Sequence, residues 1–120
     1  MKPSNPIMIN ALSAASNKNS AAINATFMVY GSIQASFSDS AAAGTLVLQG
    51  SNDPEELLPA GAPPINWVNL AGATATVVAG ASVNVGYVPY VTGSFRWLRA
   101  VWTHSAGAGT ITVTGFFQGV

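Results

Sequence analysis

The sequence has 120 residues and a formal net charge of zero, because four Lys and Arg residues balance four Asp and Glu residues. Charged residues make up 7%, against roughly 25% in an ordinary globular domain, and Cys is absent. This composition argues against binding to nucleic acid or to an anionic membrane, and against disulfides, thiolate zinc sites and cysteine nucleophiles. The sequence has one histidine, His104, and four carboxylate side chains, which are few groups for acid–base catalysis. We therefore expect no enzyme, no cofactor and no metal site.

The surface implied by this composition is polar but uncharged, with Ser, Thr, Asn and Gln in place of charged residues. A small soluble domain ordinarily carries a net charge of roughly 2–8 units. We therefore favour a protein that is packed against copies of itself or against a large partner. A secreted, weakly charged β domain is the alternative.

Residues 1–20 are rich in Pro, Asn, Ser and Ala. We predict that they form a flexible N-terminal arm, disordered in the free protein and ordered on a partner. The apolar stretch from Ile7 to Leu12 is too short for a signal sequence, and no run reaches the ~18–20 apolar residues that span a bilayer. We expect synthesis and assembly in a host cytoplasm.

Residues 21–120 are predicted to form a single β-sandwich domain. Apolar and polar residues alternate with a period of two in the segment 32–37, which places Ile33, Ala35 and Phe37 on one face. Comparable segments, separated by turns rich in Gly and Ser, are 23–29, 45–49, 74–78, 83–87, 95–103 and 110–117. Many short segments of this kind predict an all-β protein, an antiparallel β-sandwich or barrel.

The longest internal loop, residues 50–64, holds four of the seven prolines and the acidic cluster Asp53, Glu55 and Glu56. One interpretation of the cluster is a calcium site. The other is a solvated loop in which Asp53 caps one helical turn at 54–58. We favour the solvated loop, because the spacing matches no calcium-binding loop.

The segment 95–103 has two apolar faces. Alternation predicts a core face made of Leu98, Ala100 and Trp102. The opposite face is too apolar for free solvent and consists of Phe95, Trp97, Arg99 and Val101. We expect a sheet, a loop or a subunit to cover it. Aromatic and Arg side chains are enriched at interface hot spots, and the interface candidates are Trp97, Arg96, Phe95 and Tyr90. A core position beneath the long loop is equally open for Trp97.

Two strings carry a resemblance to known proteins: Gly-Thr-Leu-Val-Leu-Gln-Gly-Ser-Asn-Asp at 44–53 and Phe-Arg-Trp-Leu-Arg at 95–99, with Trp67 between them. They resemble a reduced discoidin-type, galactose-binding-like jelly roll. The span from residue 20 to residue 117 more closely resembles a group of short phage and prophage virion proteins. The strings that add to this second resemblance are Tyr30 to Ala35, Arg99 to Thr103 and Gly107 to Thr110. The expanded Pro-rich loop departs from the pattern.

The resemblance implies a jelly-roll virion structural protein, of the capsid cement, decoration or small-spike type, with no enzymatic activity. The implied partner is the major capsid protein at the capsid surface of the virion. We also expect self-association, preferably as a homotrimer anchored by Trp97. Because Asp53 and Arg99 lie in the two strings, we predict that they pair and tie the long loop to the sheet.

A carbohydrate- or receptor-binding module of a phage spike or fibre is the alternative function. Trp67, Tyr87 and Tyr90 could supply its aromatic platforms. An enzyme ranks third, because no nucleophile motif accompanies His104.

Overall fold

Two antiparallel β-sheets pack face to face in the structure of the chain, a computed structural model that describes residues 4–54 and 62–119. The elements in chain order are β1 (Ile7–Ser13), β2 (Lys18–Asn19), β3 (Ile23–Asn24), β4 (Met28–Phe37), β5 (Ala43–Ser51), β6 (Val68–Val77), β7 (Val83–Tyr87), α1 (Pro89–Thr92), β8 (Trp97–Ala106) and β9 (Thr110–Gly119).

The first sheet has the strand order β1-β9-β4-β7. The second has the order β2-β8-β5-β6, and β3 also pairs with β8. If β2 and β3 are counted as one interrupted strand, eight strands form two four-stranded sheets, which is the jelly-roll arrangement. The predicted antiparallel β-sandwich is therefore confirmed. The segments 74–78 and 83–87 are joined by a short connection that passes between the sheets, because β6 and β7 lie in different sheets.

The core lies between the sheets and is filled by the inward side of each alternating strand. The predicted core residues Leu98, Ala100 and Trp102 are fully buried. Trp102 of the second sheet packs on Phe37 of the first, with 5.0 Å between ring centroids. The other largest buried side chains are Tyr87, Phe117, Ile9, Ile33, Leu46, Leu48 and Ile111.

The N-terminal segment belongs to the first sheet, so the predicted flexible arm is wrong for residues 4–20. β1 pairs with β9 from Ile7↔Thr114 to Ser13↔Thr110. Met8 and Ile9 of this strand are buried in the core. Transfer of apolar side chains out of water favours the docked strand over a solvated arm.

The residues that follow β1 bind to the second sheet. The carbonyl oxygen of Ala14 accepts a buried hydrogen bond from Nε1 of Trp102 at 3.0 Å. Ser20 donates its N–H to the Ala100 carbonyl at 2.9 Å, and its hydroxyl accepts from the Ala100 N–H at 2.8 Å. The segment 4–20 thus contacts both sheets.

Two strands at sheet edges are irregular. β1 has two register shifts between Ile7 and Leu12, and Ala11 adopts a positive φ of 51°. In β6 the residues 70–73 bulge opposite Leu48, and Gly72 adopts a φ of 71°. A positive φ favours glycine, so Gly72 suits this bulge.

Asp39 joins two turns at one end of the sandwich. One carboxylate oxygen accepts from the Ala41 N–H at 2.9 Å and the other from the Ala108 N–H at 2.8 Å. The bond from Ala41, followed by the bond from Ala108, holds the pKa of the Asp39 carboxyl below its usual value. The carboxylate therefore connects the β4–β5 turn to the β8–β9 turn.

The sequence pattern did not indicate α1, a single turn with Pro89 at its start. The helical turn predicted at 54–58 lies, beyond Pro54, outside the described residues, and so do Glu55 and Glu56. Within the described ranges, no helix has the length and the apolar character needed to cross a membrane.

Replacement of Ile9 by Ala tests whether the N-terminal strand is structural. Ile9 is 1% exposed, so we expect Ile9→Ala to lower the free energy of unfolding by about 2–5 kcal/mol. Leu12 in the same strand is 46% exposed, and Leu12→Ala should change it by only about 0.5 kcal/mol. Urea denaturation measures both values, and two small effects would support the arm.

Candidate functional site

The outer face of the second sheet carries three polar side chains in one line across three strands. The strand register places Arg99 of β8 beside Gln49 of β5, and Gln49 beside Asn69 of β6. Arg99 Nε donates to Gln49 Oε1 at 2.8 Å, and Gln49 Nε2 donates to Asn69 Oδ1 at 2.8 Å. We call these three residues the polar row.

Trp67, just before β6, stacks against the cationic end of this row. The guanidinium carbon of Arg99 lies 4.4 Å from the centroid of the Trp67 ring. Contacts of this kind are worth about 0.5–2 kcal/mol, more when they are desolvated. Trp67 is itself held in place, because its Nε1 donates to the Pro64 carbonyl at 3.0 Å. Arg99 is thus fixed by an amide on one side and an indole on the other.

Trp97, at the start of β8, is the second indole of this region. It pairs with Ser51 across the sheet, and its Nε1 donates to the Asp53 carbonyl at 3.0 Å. Trp97 is half-buried, and this hydrogen bond connects it to the first residues of the long loop. Its role at an interface stays a prediction.

Asp53 closes the long loop through its carboxylate. One oxygen accepts from the Ile65 N–H at 2.8 Å and the Asn66 N–H at 3.0 Å, and the other accepts from Asn66 Nδ2 at 2.9 Å. The backbone and side-chain bonds from Asn66, followed by the bond from Ile65, lower the pKa of the Asp53 carboxyl.

The predicted Asp53–Arg99 pair is wrong, because each group has other partners. Asp53 is occupied by Ile65 and Asn66, whereas Arg99 is occupied by Gln49 and the Trp67 ring. Burial lowers the pKa of the Arg99 guanidinium, yet arginine stays protonated at neutral pH. Within the described residues, the Trp97 Nε1 group joins the sheet to the loop through the Asp53 carbonyl, and Asp53 and Arg99 form no ion pair.

The other interface candidates lie in different environments. Phe95 packs against the core and over Gly50, where a Cβ would overlap its ring, so its place on the outer face was predicted wrongly. The alternation does not extend to Phe95, because β8 begins only at Trp97. Arg96 is exposed, and its N–H donates to Asn52 Oδ1 at 2.8 Å. Tyr90, on α1, is 91% exposed.

Of the three proposed aromatic platforms, the structure brings only Trp67 to the polar row. Tyr87 is fully buried, and its hydroxyl accepts from the Phe95 N–H at 3.2 Å. It is therefore a core residue and no platform.

His104 takes part in the β8–β9 turn. Its Nε2 lies 2.9 Å from the Gly107 carbonyl oxygen, and its backbone N–H donates to Asn17 Oδ1 at 2.9 Å. Beside it lies a depression of about 330 Å³, and the described residues that line it include no carboxylate. Within residues 4–54 and 62–119, no three His, Asp or Glu side chains come together in a way that could hold a metal ion.

The outer face of the first sheet is the second notable surface. It carries an exposed apolar cluster of Ile7, Tyr30 and Phe116, whose exposed fractions are 62%, 50% and 45%. The register Ile7↔Thr114, Ser32↔Phe116 and Tyr30↔Gln118 makes these side chains diagonal neighbours. The strands β1, β4, β7 and β9 contain no charged residue.

Comparisons with known proteins identify the fold. No protein-family model matches the chain, and no curated protein matches it. The SPBc2 prophage-derived protein YomS has a similar structure, with a TM-score of 0.54, 11% identity, and coverage of 98% of this chain and 95% of that chain. PirA has a TM-score of 0.56, 13% identity, and coverage of 92% and 94%. A CBM4 structure has a TM-score of 0.48, 12% identity, and coverage of 85% and 61%.

At these identities the chain shares a β-sandwich fold with YomS and PirA, and the likeness extends no further than the fold.

Replacement of Asp53 by Asn tests its role in closing the loop. The pKa of Asp53 is lowered in the folded state, so its stabilising effect is complete well above its unfolded pKa and disappears as the pH falls through the folded pKa. The wild-type protein should therefore melt at a higher temperature than Asp53→Asn at neutral pH, and the difference should shrink below about pH 4. Thermal melts at several pH values measure this. A difference that stays constant in acid would contradict the role.

Proposed function

We propose that the protein is a virion structural protein of the cement or decoration type, which binds the outer capsid surface through its first sheet. The observation that carries this proposal is the exposed apolar cluster of Ile7, Tyr30 and Phe116 on a sheet whose strands have no charge. The partner is the major capsid protein, and the location is the capsid surface of the virion.

The chemistry of this face suits a protein partner. Interface centres are depleted in charge and enriched in aromatic residues, with polar groups around them. Here the apolar cluster is surrounded by uncharged hydrogen-bonding side chains: Ser32, Gln34, Thr112, Thr114 and Gln118. Removal of such a face from water leaves no buried charge unpaired. The homotrimer expected from the sequence stays a prediction, which sedimentation of the free protein tests.

A charge placed in the cluster tests the capsid contact. Phe116→Asp should reduce occupancy on capsid shells of the phage that carries the gene by about thirtyfold or more, because a central aromatic anchor is worth about 2 kcal/mol. Thr103→Asp is the matched control, since Thr103 is an exposed strand residue of the second sheet. Cosedimentation with shells measures occupancy. Equal occupancy of both variants would refute a contact through the first sheet.

The alternative is saccharide binding by the second sheet, as in a spike or fibre module. The specific observation in its favour is the polar row beside Trp67, which places hydrogen-bonding groups next to an indole. Binding sites for small ligands combine aromatic walls with a few placed polar groups. The two candidate functions use opposite faces of the sandwich, so one does not exclude the other.

A further inference from the structure

We propose that the polar row is a binding site for acidic saccharides, with Arg99 and Asn69 as donors to the carboxylate and hydroxyl oxygens of the ligand. This inference rests on the second candidate function and names its ligand class. It is independent of the capsid contact, which uses the other sheet.

The row has a fixed hydrogen-bond direction. Arg99 Nε can only donate, so the atom of Gln49 that faces it must be the carbonyl oxygen Oε1. Gln49 Nε2 then points to β6, and the atom of Asn69 that receives its hydrogen must be Oδ1. Asn69 is left with its Nδ2 group directed away from Gln49. One arginine thus orients two amides.

The consequence of this direction is a surface rich in donors. The carbonyl oxygens of Gln49 and Asn69 already accept hydrogen bonds inside the row. The N–H groups of the row with no bond to any described residue are those of Arg99 Nη1 and Nη2 and of Asn69 Nδ2, together with the second N–H of Gln49 Nε2. A ligand that complements them must be rich in acceptors, and a carboxylate matches the fork of a guanidinium best.

The positive charge of Arg99 also favours an anionic ligand. Of the two carboxylates in the described part of the chain, Asp39 binds the turns at Ala41 and Ala108, and Asp53 binds Ile65 and Asn66. Neither is a partner of Arg99, whose cation is therefore uncompensated within this part of the chain. An anionic ligand would provide the missing charge.

Size and shape favour a saccharide over an acidic peptide. The row crosses β8, β5 and β6, which is two strand spacings or about 10 Å, the length scale of a disaccharide. The half-buried indoles of Trp67 and Trp97 lie at one side of it and offer flat apolar surface to sugar rings. Because Trp67 and Gln49 already hold the guanidinium, little ordering is needed on binding.

Titration calorimetry of the whole chain with three probes tests the ligand class: tetragalacturonate, cellotetraose and tetraglutamate. We expect tetragalacturonate to bind at least about tenfold tighter than the other two and to weaken as salt is raised. Equal or tighter binding of cellotetraose would overturn the acidic ligand and leave saccharide binding intact. Tighter binding of tetraglutamate, or no binding of any probe, would overturn the proposal.

Gln49→Glu tests the row itself. The new carboxylate still accepts from Arg99 but neutralises it, and it draws Asn69 Nδ2 inward as a donor. The variant should keep its melting temperature and lose at least about tenfold in affinity for tetragalacturonate. The matched control is Asn84→Asp, because Asn84 is an exposed amide residue in the middle of β7 on the opposite sheet. Equal losses in both variants, or no loss in Gln49→Glu, would overturn the proposal.

Discussion

The buried indole of Trp102 connects the two sheets, and the rest of the sandwich is arranged around it. Its ring packs on Phe37 of the first sheet, and its Nε1 donates to the carbonyl of Ala14. A buried N–H without an acceptor is costly, so the chain after β1 must come to this point. The bond thus joins the second sheet to the chain that leaves β1, whose own pairing with β9 places it at the edge of the first sheet. Both outer faces of the sandwich then remain available for contacts.

The few charged groups are used in different ways. The carboxylates of Asp39 and Asp53 accept hydrogen bonds from backbone N–H groups and so hold the turns and the loop around them in place. Arg99 is placed in the middle of a sheet face, between an amide and an indole. The two arginines therefore differ, because Arg99 is held on the sheet face whereas the neighbouring Arg96 is exposed.

Much of the sandwich could be predicted from the alternation of apolar and polar residues, because in a regular strand this alternation shows which side chains face the core. The segments 83–87 and 110–117 correspond to β7 and β9 almost residue for residue. The N-terminal strand could not be predicted in this way. Its register shifts bury the consecutive residues Met8 and Ile9, which destroys the period of two, and its Ala and Ser content resembles a linker.

The candidate site was only partly predictable for a related reason. The alternation of β8 predicts that Arg99 lies on a strand face. The other two residues of the row, Gln49 and Asn69, are ordinary polar residues in other strands. What unites them is the register among β8, β5 and β6, and the alternation of a single strand contains no information about register. The prediction of an Asp53–Arg99 pair is wrong for a similar reason. The hydrogen-bond partners of both groups are neutral, and the distribution of charged residues in the sequence does not indicate them.

The irregular strands at the sheet edges affect whether copies of the protein pair with one another at high concentration. Open strand edges invite other chains to add to a sheet, which leads to fibrils and aggregates. Most proteins also rely on net charge to keep copies apart, and this chain has none. The edges at β1, β2 and β6 are instead poor templates, since β1 and β6 bulge and β2 has only two residues. Interrupted strands at these edges thus take over part of the role of charge in preventing edge-to-edge pairing of copies.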